Sequence, residues 1–305
     1  MTRAFVLGAG LGTRLRPLTN QLPKPLIPVH QRPLIEYAFA HLRSAGVKEF
    51  IVNTHHLPEA YARAFPGGIW QGCPVTFRHE STLLETGGGL ANVQDLFAGD
   101  EPFVVFNGDV FTELPLAPAI AQHRADGNLV TLILRSSGPV KNVAMDVADC
   151  RVLDLRNARG TNHPDKFQFT GLYIVEPAFF KYLPAAGVIE SVVASWLRAI
   201  AAGERLGGVI IDDGLWLDLG DRASYLEAHR LIPSNARIHS SARIADSARI
   251  DGFSSIGADC VVEDGAVVRG SVLWPGSHVS AGASLERCIV LAGHTADGTL
   301  QNADV

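Results

Sequence analysis

The chain has 305 residues, of which 47% are hydrophobic and 19% are charged, as is ordinary for a folded globular protein. Its length suits one large domain and a smaller one. Because the formal net charge is −5, there is no general basic field for nucleic acid or an anionic membrane, and we expect neither as a partner.

The sequence also indicates the cellular compartment in which the protein is expected. It shows neither the pattern of a secretion signal at its start nor an apolar run near the roughly 20 residues that a membrane span requires. Four cysteines are scattered without a CxxC spacing, which argues against a zinc site and a disulfide framework. They are Cys73, Cys150, Cys260 and Cys288. We therefore expect a cytoplasmic protein.

From the start to about Leu231, short apolar runs alternate with segments of helical pattern. The runs that predict strands are RAFVL, EFIVN, VTFRH, PFVVFNGD and NLVTLILR. After the first of them, PLIEYAFAHLRSAG predicts a helix that starts near Pro33 and ends at Gly46. This alternation predicts an α/β domain over residues 1–231, with a Rossmann-like, mostly parallel sheet covered by helices on both faces.

After Pro233 the pattern changes to a repeat of six residues. An aliphatic residue recurs at every sixth position, with a small residue two positions before it. The aliphatic positions are Ile238, Ile244, Ile250, Ile256, Val262 and Val268, and the repeat resumes one position out of step at Val279 and Leu285. The repeat predicts a left-handed parallel β-helix over residues 232–305, and the shift suggests an extra residue at one corner.

Two functions are open for this β-helix. As a stacking module it would assemble the chain into a homo-oligomer. As an acyltransferase it would use a histidine, and His239, His278 and His294 are available. We favour assembly, because the solenoid is short and no extended loop projects from it.

The loop after the first strand is rich in glycine and cations. Gly8, Gly10 and Gly12 leave backbone N–H groups open to an anion. The GAGLG spacing is not GxGxxG, and the second strand ends without the carboxylate of a dinucleotide fold. No lysine follows Gly12 as a P-loop requires. The loop instead supplies Arg14, and Lys24 between two prolines that hold it extended.

These residues carry a resemblance to a known family. GAGLGTRLRPLTNQLPKPLIPV resembles the signature of the sugar-1-phosphate nucleotidyltransferases, also called NDP-sugar pyrophosphorylases. The resemblance continues, in order, through LLETGGGLANV, FVVFNGDV, FTGLYIVEP and GLWLDLGDRASYLEAH. It covers nearly the whole chain, since a C-terminal left-handed β-helix is also common in the family.

The resemblance implies a reaction and roles. A sugar-1-phosphate oxygen attacks the α-phosphorus of a nucleoside triphosphate (NTP), and pyrophosphate leaves. Arg14 is expected at the leaving pyrophosphate and Lys24 at the reacting phosphates. The residues expected to bind the nucleotide are Gly8, Ala9, Gly10, Gly12, Thr13, Glu85, Gly88 and Asn107.

A metal site is implied as well. Asp109 ends a buried strand and Asp218 lies in WLDLGD, where the family has its two metal ligands. Two carboxylates with phosphate oxygens suit Mg²⁺, which keeps several waters. Asp221, three residues on, is expected to be a helix N-cap.

The sugar is harder to assign. Asn142, Thr170 and Gly171 fall where relatives line the sugar pocket. Many relatives carry a Glu-Lys-Pro near there, whereas this chain has VLDLRNARGTN, in which no Glu-Lys pair occurs. Arg156 or Lys166 is a candidate replacement for the cation.

The sequence therefore leaves more than one choice of nucleotide and sugar phosphate. The β-helix resembles the layout of mannose-1-phosphate guanylyltransferases, towards which we lean. LLETGGG and the missing Glu-Lys-Pro resemble N-acetylmuramate-1-phosphate uridylyltransferases. A non-catalytic subunit that binds an NDP-sugar is a third candidate, disfavoured because the expected cations and carboxylates are all present.

Overall fold

A computed structural model of the chain describes residues 1–97, 99 and 101–305. Its contacts divide the chain into two compact units. Unit 1 comprises Met1–Leu11 and Ile35–Trp216, and unit 2 comprises Gly12–Leu34 and Leu217–Val305. The domain boundary between residues 231 and 232 stays a prediction. None of the helices in these described ranges is long and apolar enough to cross a membrane.

The described residues form helices and strands in alternation. The α-helices are α1 (Leu18–Gln21), α2 (Leu34–Ser44), α3 (Pro58–Ala64), α4 (Glu85–Ala91), α5 (Leu116–Asp126), α6 (Val192–Ala201) and α7 (Arg222–Leu231). The strands that precede the β-helix are β1 (Arg3–Leu7), β2 (Pro28–Val29), β3 (Arg32–Pro33), β4 (Glu49–Thr54), β5 (Ile69–Trp70), β6 (Cys73–His79), β7 (Phe103–Asn107), β8 (Val110–Thr112), β9 (Val130–Arg135), β10 (Lys141–Asp146), β11 (Arg151–Leu155), β12 (Lys166–Val175), β13 (Leu206–Ile210) and β14 (Trp216–Asp218).

Unit 1 is built on a ten-stranded sheet in the order β10-β11-β13-β9-β12-β7-β1-β4-β6-β5. The predicted α/β fold is confirmed, and the sheet is mixed. Strand β1 pairs in parallel with β4 and β7, whereas β12 runs antiparallel to both β7 and β9. The apolar runs are continuous because both faces are buried, and Ala4, Phe5 and Val6 of β1 have no exposed surface.

The register of this sheet brings three strand ends together. Leu7, the last residue of β1, pairs with Asn53 of β4 on one side and with Asn107 of β7 on the other. Since parallel strands end at the same edge, the segments that follow β1, β4 and β7 leave the sheet side by side. That edge is where α/β folds bind their ligands.

The repeat of six residues forms a parallel β-helix, as predicted. Its strands are β15 (Arg243–Ile244), β16 (Arg249–Ile250), β17 (Ser255–Ile256), β18 (Val261–Val262), β19 (Val267–Arg269), β20 (Val272–Leu273), β21 (His278–Val279), β22 (Ser284–Glu286), β23 (Ile289–Val290), β24 (Thr295–Ala296) and β25 (Thr299–Gln301). They stack into three sheets, β15-β18-β21-β24, β16-β19-β22-β25 and β17-β20-β23. From Ile244 onward the repeated aliphatic residues fill the interior or pack against it, whereas Ile238 in the first coil is 48% exposed.

One detail of the repeat is the reverse of what we expected. Ile250 pairs with Val268, 18 residues on, but Val268 pairs with Leu285, 17 residues on. The register shift therefore marks one residue fewer, and the expectation of an extra residue was wrong. The shortened corner is made by Gly270, and by Arg287 in the next coil, whose left-handed φ angles of 51° and 53° turn the chain more tightly.

A buried histidine pair lies in unit 2. His30 and His229 are 2% and 1% exposed, with ring centroids 4.8 Å apart. Nδ1 of His229 lies 3.0 Å from the carbonyl oxygen of Tyr225 and so carries the proton, which leaves Nε2 to accept from the backbone N–H of His30. Burial is the main cause that lowers the pKa of His30 to about 4 and that of His229 to about 3.

We predict a pH-dependent stability from this pair. Both folded-state pKa values lie below the ordinary 6.5, so the unfolded chain binds more protons below that pH. The free energy of unfolding should therefore fall between pH 7 and pH 5, by up to about 2 kcal/mol for each imidazole. Urea denaturation of wild type and His30→Gln checks this. The variant should show a flatter dependence, and the exposed His294→Gln should keep the wild-type slope. Equal slopes for wild type and His30→Gln would contradict the assignment.

Candidate active site

A buried hydrogen-bond network anchors the first loop in unit 1. The N–H of Gly8 donates to Oδ1 of Asn53 (2.8 Å), whose Nδ2 donates to Oε1 of Glu80 (2.7 Å). Oε2 of Glu80 accepts from the N–H of Leu84 (3.0 Å). The Tyr61 hydroxyl donates to the Gly8 carbonyl at 2.8 Å. The ends of β1, β4 and β6 and the start of α4 are thus joined at one edge.

Packing explains one glycine of this loop but not the other. A Cβ at Gly8 would lie 2.7 Å from the carbonyl oxygen of Asn53 and 3.0 Å from the Tyr61 hydroxyl, so close packing requires glycine. At Gly10 a Cβ would meet nothing within 4 Å, and the residue is exposed. Ala9, between them, is buried. Of the three, Gly10 presents its backbone to solvent, where a ligand can approach.

The glycines of ETGGG in α4 are explained by packing. The N–H groups of Gly87 and Gly88 donate to the carbonyl of Glu190 at 2.8 and 3.0 Å. A Cβ at Gly88 would collide with the Val188 carbonyl oxygen, and one at Gly89 would lie 2.9 Å from Nδ2 of Asn53. The role of Gly88 in base contact stays a prediction. Nucleotide binding by Glu85, which is exposed and has a left-handed φ of 59°, also stays a prediction.

The end of β7 brings two further predicted residues together. Gly171 of β12 has a φ of 85°, and a Cβ there would lie 2.9 Å from Nδ2 of Asn107. Asn107 is followed by Gly108, whose N–H donates to the carbonyl of Leu7 at 2.9 Å. Asp109 comes next and is half-buried. Asn107, predicted to bind the nucleotide, and Gly171, predicted to line the sugar pocket, are therefore neighbours.

The other two predicted sugar residues are held by backbone contacts. The Thr170 side chain is buried, and its hydroxyl donates to the Ile133 carbonyl at 2.7 Å. Its own carbonyl accepts from Nε1 of Trp216 at 2.8 Å. Asn142 is half-buried in β10 and accepts from the N–H of Arg156 at 2.7 Å through its carbonyl. A sugar contact by either residue stays a prediction.

The segment that replaces Glu-Lys-Pro is organised by Asp154. Its buried carboxylate accepts from the backbone N–H groups of Leu155, Arg159 and Thr161 and from the Thr161 hydroxyl. Burial alone would raise the pKa of Asp154, but these hydrogen bonds outweigh it and hold the pKa below its usual range. Arg156 and Lys166 are both exposed.

Unit 2 brings both predicted cations to one segment. The Arg14 guanidinium lies against Gly220, where a Cβ would be 3.0 Å from Nη2. Lys24 is only 7% exposed, and its Nζ lies 3.9 Å from Oδ1 of Asp218. Gly12 has a φ of 61°, and its carbonyl accepts from the Thr19 hydroxyl at 3.0 Å. Asp218 and Gly220 thus lie beside Lys24 and Arg14.

The next carboxylate in this segment has a structural role. Asp221 is the N-cap of α7, as predicted, and accepts from the Ser224 N–H at 2.8 Å while its own N–H donates to the Ser224 hydroxyl. These hydrogen bonds, and to a lesser degree nearby Arg14, lower the pKa of Asp221.

The predicted residues are divided between the two units. Those in unit 1 are Gly8, Ala9, Gly10, Glu85, Gly88, Asn107, Asp109, Asn142, Thr170 and Gly171. Those in unit 2 are Gly12, Thr13, Arg14, Lys24 and Asp218. Within the described ranges, no group of three His, Cys, Asp or Glu side chains could hold a metal ion. Sequence analysis missed Asn53, which is the penultimate residue of β4, and Glu80, which directly follows β6.

The fold and these motifs define a nucleotidyltransferase. Residues 3–235 match the Nucleotidyl transferase family, and the chain belongs to it. The predicted class of enzyme is confirmed.

Particular relatives act on different sugar phosphates and nucleotides. The chain is 27% identical over 352 residues to the UTP–glucose-1-phosphate uridylyltransferase of Synechocystis sp., covering 99% of this chain and 90% of the relative. It is 28% identical over 301 residues to the mannose-1-phosphate guanylyltransferase of Mycobacterium tuberculosis, covering 93% and 83%. Among solved structures, HddC from Yersinia pseudotuberculosis has a TM-score of 0.62 at 20% identity, covering 75% of this chain and 98% of that one. This last likeness supports the fold.

We predict that Gly88→Ala destabilises the protein. The new methyl group would meet the Val188 carbonyl, which is held in place by the hydrogen bonds of the neighbouring Glu190. Overpacking against backbone should cost roughly 2–3 kcal/mol. Gly252→Ala, where a Cβ would meet nothing within 4 Å, is the matched control. Denaturant midpoints measure both, and a Gly88→Ala midpoint equal to that of the control would refute the packing explanation.

Proposed function

We propose that the protein transfers a nucleotidyl group from an NTP to a sugar 1-phosphate. The sugar phosphate oxygen forms a bond to the α-phosphorus, the bond from that phosphorus to the β-phosphate oxygen breaks, and pyrophosphate leaves with the electron pair. The observation that carries the proposal is the placement of Arg14 and Lys24 beside the segment of Asp218 and Gly220 in unit 2. The family supports the reaction class.

The two cations would act differently. Arg14 is exposed, and its planar guanidinium can bind two oxygens of the leaving pyrophosphate at once. Lys24 is almost fully buried, so its charge is poorly screened by water and would act strongly on a reacting phosphate. The remaining residues of the signature, with Glu85, Gly88 and Asn107, would bind the nucleotide.

The residues present also fit Mg²⁺. Asp109 is half-buried between β7 and β8 and Asp218 is exposed, and both carry the hard carboxylate oxygens that Mg²⁺ prefers. Mg²⁺ binds few protein carboxylates and takes its other ligands from water and phosphate, so two carboxylates are enough. When bound, the ion would neutralise charge on the phosphate oxygens. The proposed ligands are Asp109 and Asp218.

Among the possible substrate pairs, we favour guanylyl transfer to a mannose-type phosphate. Mannose-1-phosphate guanylyltransferases that match over more than 90% of this chain support it. The alternative is a uridylyltransferase that acts on N-acetylmuramate 1-phosphate or another sugar phosphate, and the uridylyltransferase of Synechocystis sp. supports that class of nucleotide. A non-catalytic NDP-sugar-binding subunit is the least favoured, because Arg14, Lys24, Asp109 and Asp218 are all present.

A homo-oligomer formed through the β-helix and a cytoplasmic location belong to the same proposal. Acyl transfer by the β-helix is the less favoured function, because the solenoid is short. Nε2 of His278 lies 2.9 Å from Oε1 of Glu263, and His239 contacts the Ser241 hydroxyl. Turnover of acetyl-CoA by the full chain would instead support acyl transfer.

We predict pyrophosphate release with one or a few substrate pairs. The four common NTPs would each be paired with a panel of sugar 1-phosphates at millimolar Mg²⁺, and pyrophosphate measured. GTP with mannose 1-phosphate should give the highest kcat/KM. A preference for UTP would select the alternative, and no turnover with any pair would sink the proposed function.

We predict that Asp109→Asn loses turnover without losing the fold. An amide is neutral and a weaker ligand for Mg²⁺, so kcat should fall by about 10²-fold or more. Circular dichroism should show the wild-type spectrum. Asp246→Asn, an exposed carboxylate of the β-helix, should keep full activity. Wild-type kcat and Mg²⁺ dependence in Asp109→Asn would mean that the ligand assignment is wrong.

A further inference from the structure

One outer face of the β-helix is unlike the other two. In β20 and β23, Leu273 and Val290 point into the core, so the neighbouring Val272 and Ile289 point outward. These outward residues are nonetheless 3% and 0% exposed. By contrast, Arg249 at the corresponding outward position of β16 is exposed. The sheet β17-β20-β23 is therefore covered within the protein.

The loop of residues 12–34 and helix α7 make polar contacts along this face, within unit 2. Nε2 of Gln31 donates to the Ile256 carbonyl at 2.7 Å. Arg222 of α7 pairs with Asp304 at 2.6 Å and donates to the carbonyl of Ala303. The loop that carries Arg14 and Lys24 thus belongs to the same packed body as the β-helix.

A hydrogen-bond chain runs from the β-helix into that loop. Nε1 of Trp274 lies 3.0 Å from the Tyr225 hydroxyl, which lies 2.6 Å from the Pro28 carbonyl oxygen. An indole N–H can only donate and a carbonyl can only accept, so the Tyr225 hydroxyl accepts from Trp274 and donates to Pro28. Tyr225 and Trp274 are 0% and 1% exposed. Because this site is buried, losing the hydroxyl would leave both partners unsatisfied.

The fixed carbonyl lies close in sequence to the proposed catalytic lysine. Lys24 begins a 3₁₀ turn that ends at Leu26, and the N–H of Ile27 donates to the Lys24 carbonyl at 3.2 Å. The expectation that the flanking prolines hold Lys24 extended was therefore wrong. Prolines at 23, 25 and 28 fix φ along this segment. A shift at Pro28 would therefore be transmitted to Lys24 instead of being absorbed between them.

We propose that Trp274 and Tyr225 are positioning residues for Lys24, and that the β-helix takes part in the reaction by this route. Neither residue touches the reacting phosphates. They hold Pro28, and so the stiff segment that carries the Lys24 ammonium group, where the reaction needs it. The proposal rests on the proposed function, since it assigns Lys24 to the reacting phosphates. It goes beyond an assembly module, in which these contacts would serve stability alone.

Tyr225→Phe tests the proposal at one oxygen atom. A small displacement of a catalytic group costs much of its effect, so kcat should fall about tenfold at a temperature where the variant is fully folded, with KM changed less. Tyr173→Phe is the matched control, because the buried Tyr173 hydroxyl has no hydrogen-bond partner among the residues that the structure describes. It should keep the wild-type kcat. Trp274→Phe should reproduce the loss in weaker form, since the bond from Tyr225 to Pro28 is kept.

A double-mutant cycle separates positioning from stability. If Tyr225 acts through Lys24, Tyr225→Phe should lower kcat in wild type but not in Lys24→Ala. Equal factors in both backgrounds, or an unchanged kcat in Tyr225→Phe, would overturn the proposal.

Hydrogen exchange gives a readout that needs no turnover. The amides of Leu26 and Ile27 should exchange faster in Tyr225→Phe than in wild type, and unchanged exchange would also overturn the proposal. If wild type releases no pyrophosphate with any pair while these amides respond, the proposed function fails and the mechanical link to Lys24 stands.

Discussion

The burial of Lys24 is the constraint on which the account depends. A lysine that is 7% exposed has lost most of its water, and such a charge is costly unless the surroundings compensate it. Asp218 lies 3.9 Å from its Nζ, prolines fix the chain around it, and Pro28 is held by Tyr225. A long, flexible side chain would not be confined so closely for solubility alone. A fixed, desolvated cation is the arrangement that phosphate chemistry uses.

The fixed position of Lys24 also suggests a role for the C-terminal β-helix beyond assembly. In sequence the β-helix reads as a separate module, because its period differs from that of the α/β part. In the structure its covered face carries α7 and the loop of residues 12–34, so one compact unit contains the repeat and both proposed phosphate-binding cations. Assembly and positioning are compatible, since Ile238, which pairs with Ile256 at the start of the covered sheet, is still 48% exposed.

Unit 1 shows how glycine-rich motifs combine structural and functional demands. Gly8 and the three glycines of α4 are required by contacts with Asn53, Val188 and Glu190. Gly10 has open space around it and is exposed, so a ligand can approach its backbone. The sequence motif does not distinguish the two cases, because both need the absence of a Cβ.

Much of this could be predicted from periodicity. The apolar runs gave the strands of the α/β core and the six-residue repeat gave the β-helix, since burial imposes both patterns directly. The antiparallel direction of β12 could not be predicted, because an apolar run carries no direction. The tight corner at Gly270 was misjudged, although the step from Val268 to Val279 is 11 residues, one fewer than two repeats of six. Asn53 and Glu80 were missed because the hydrogen bonds that join them to each other and to Gly8 link residues distant in sequence.

Amide hydrogen exchange with and without the preferred NTP tests the central claim most directly. If Arg14 and Lys24 bind the phosphates, NTP should slow exchange in residues 8–16 and 24–27, while strands β18 and β21, on another face of the β-helix, keep their rates. Unchanged exchange around Lys24 at saturating NTP, with pyrophosphate still released, would show that this lysine is held in place for some other purpose.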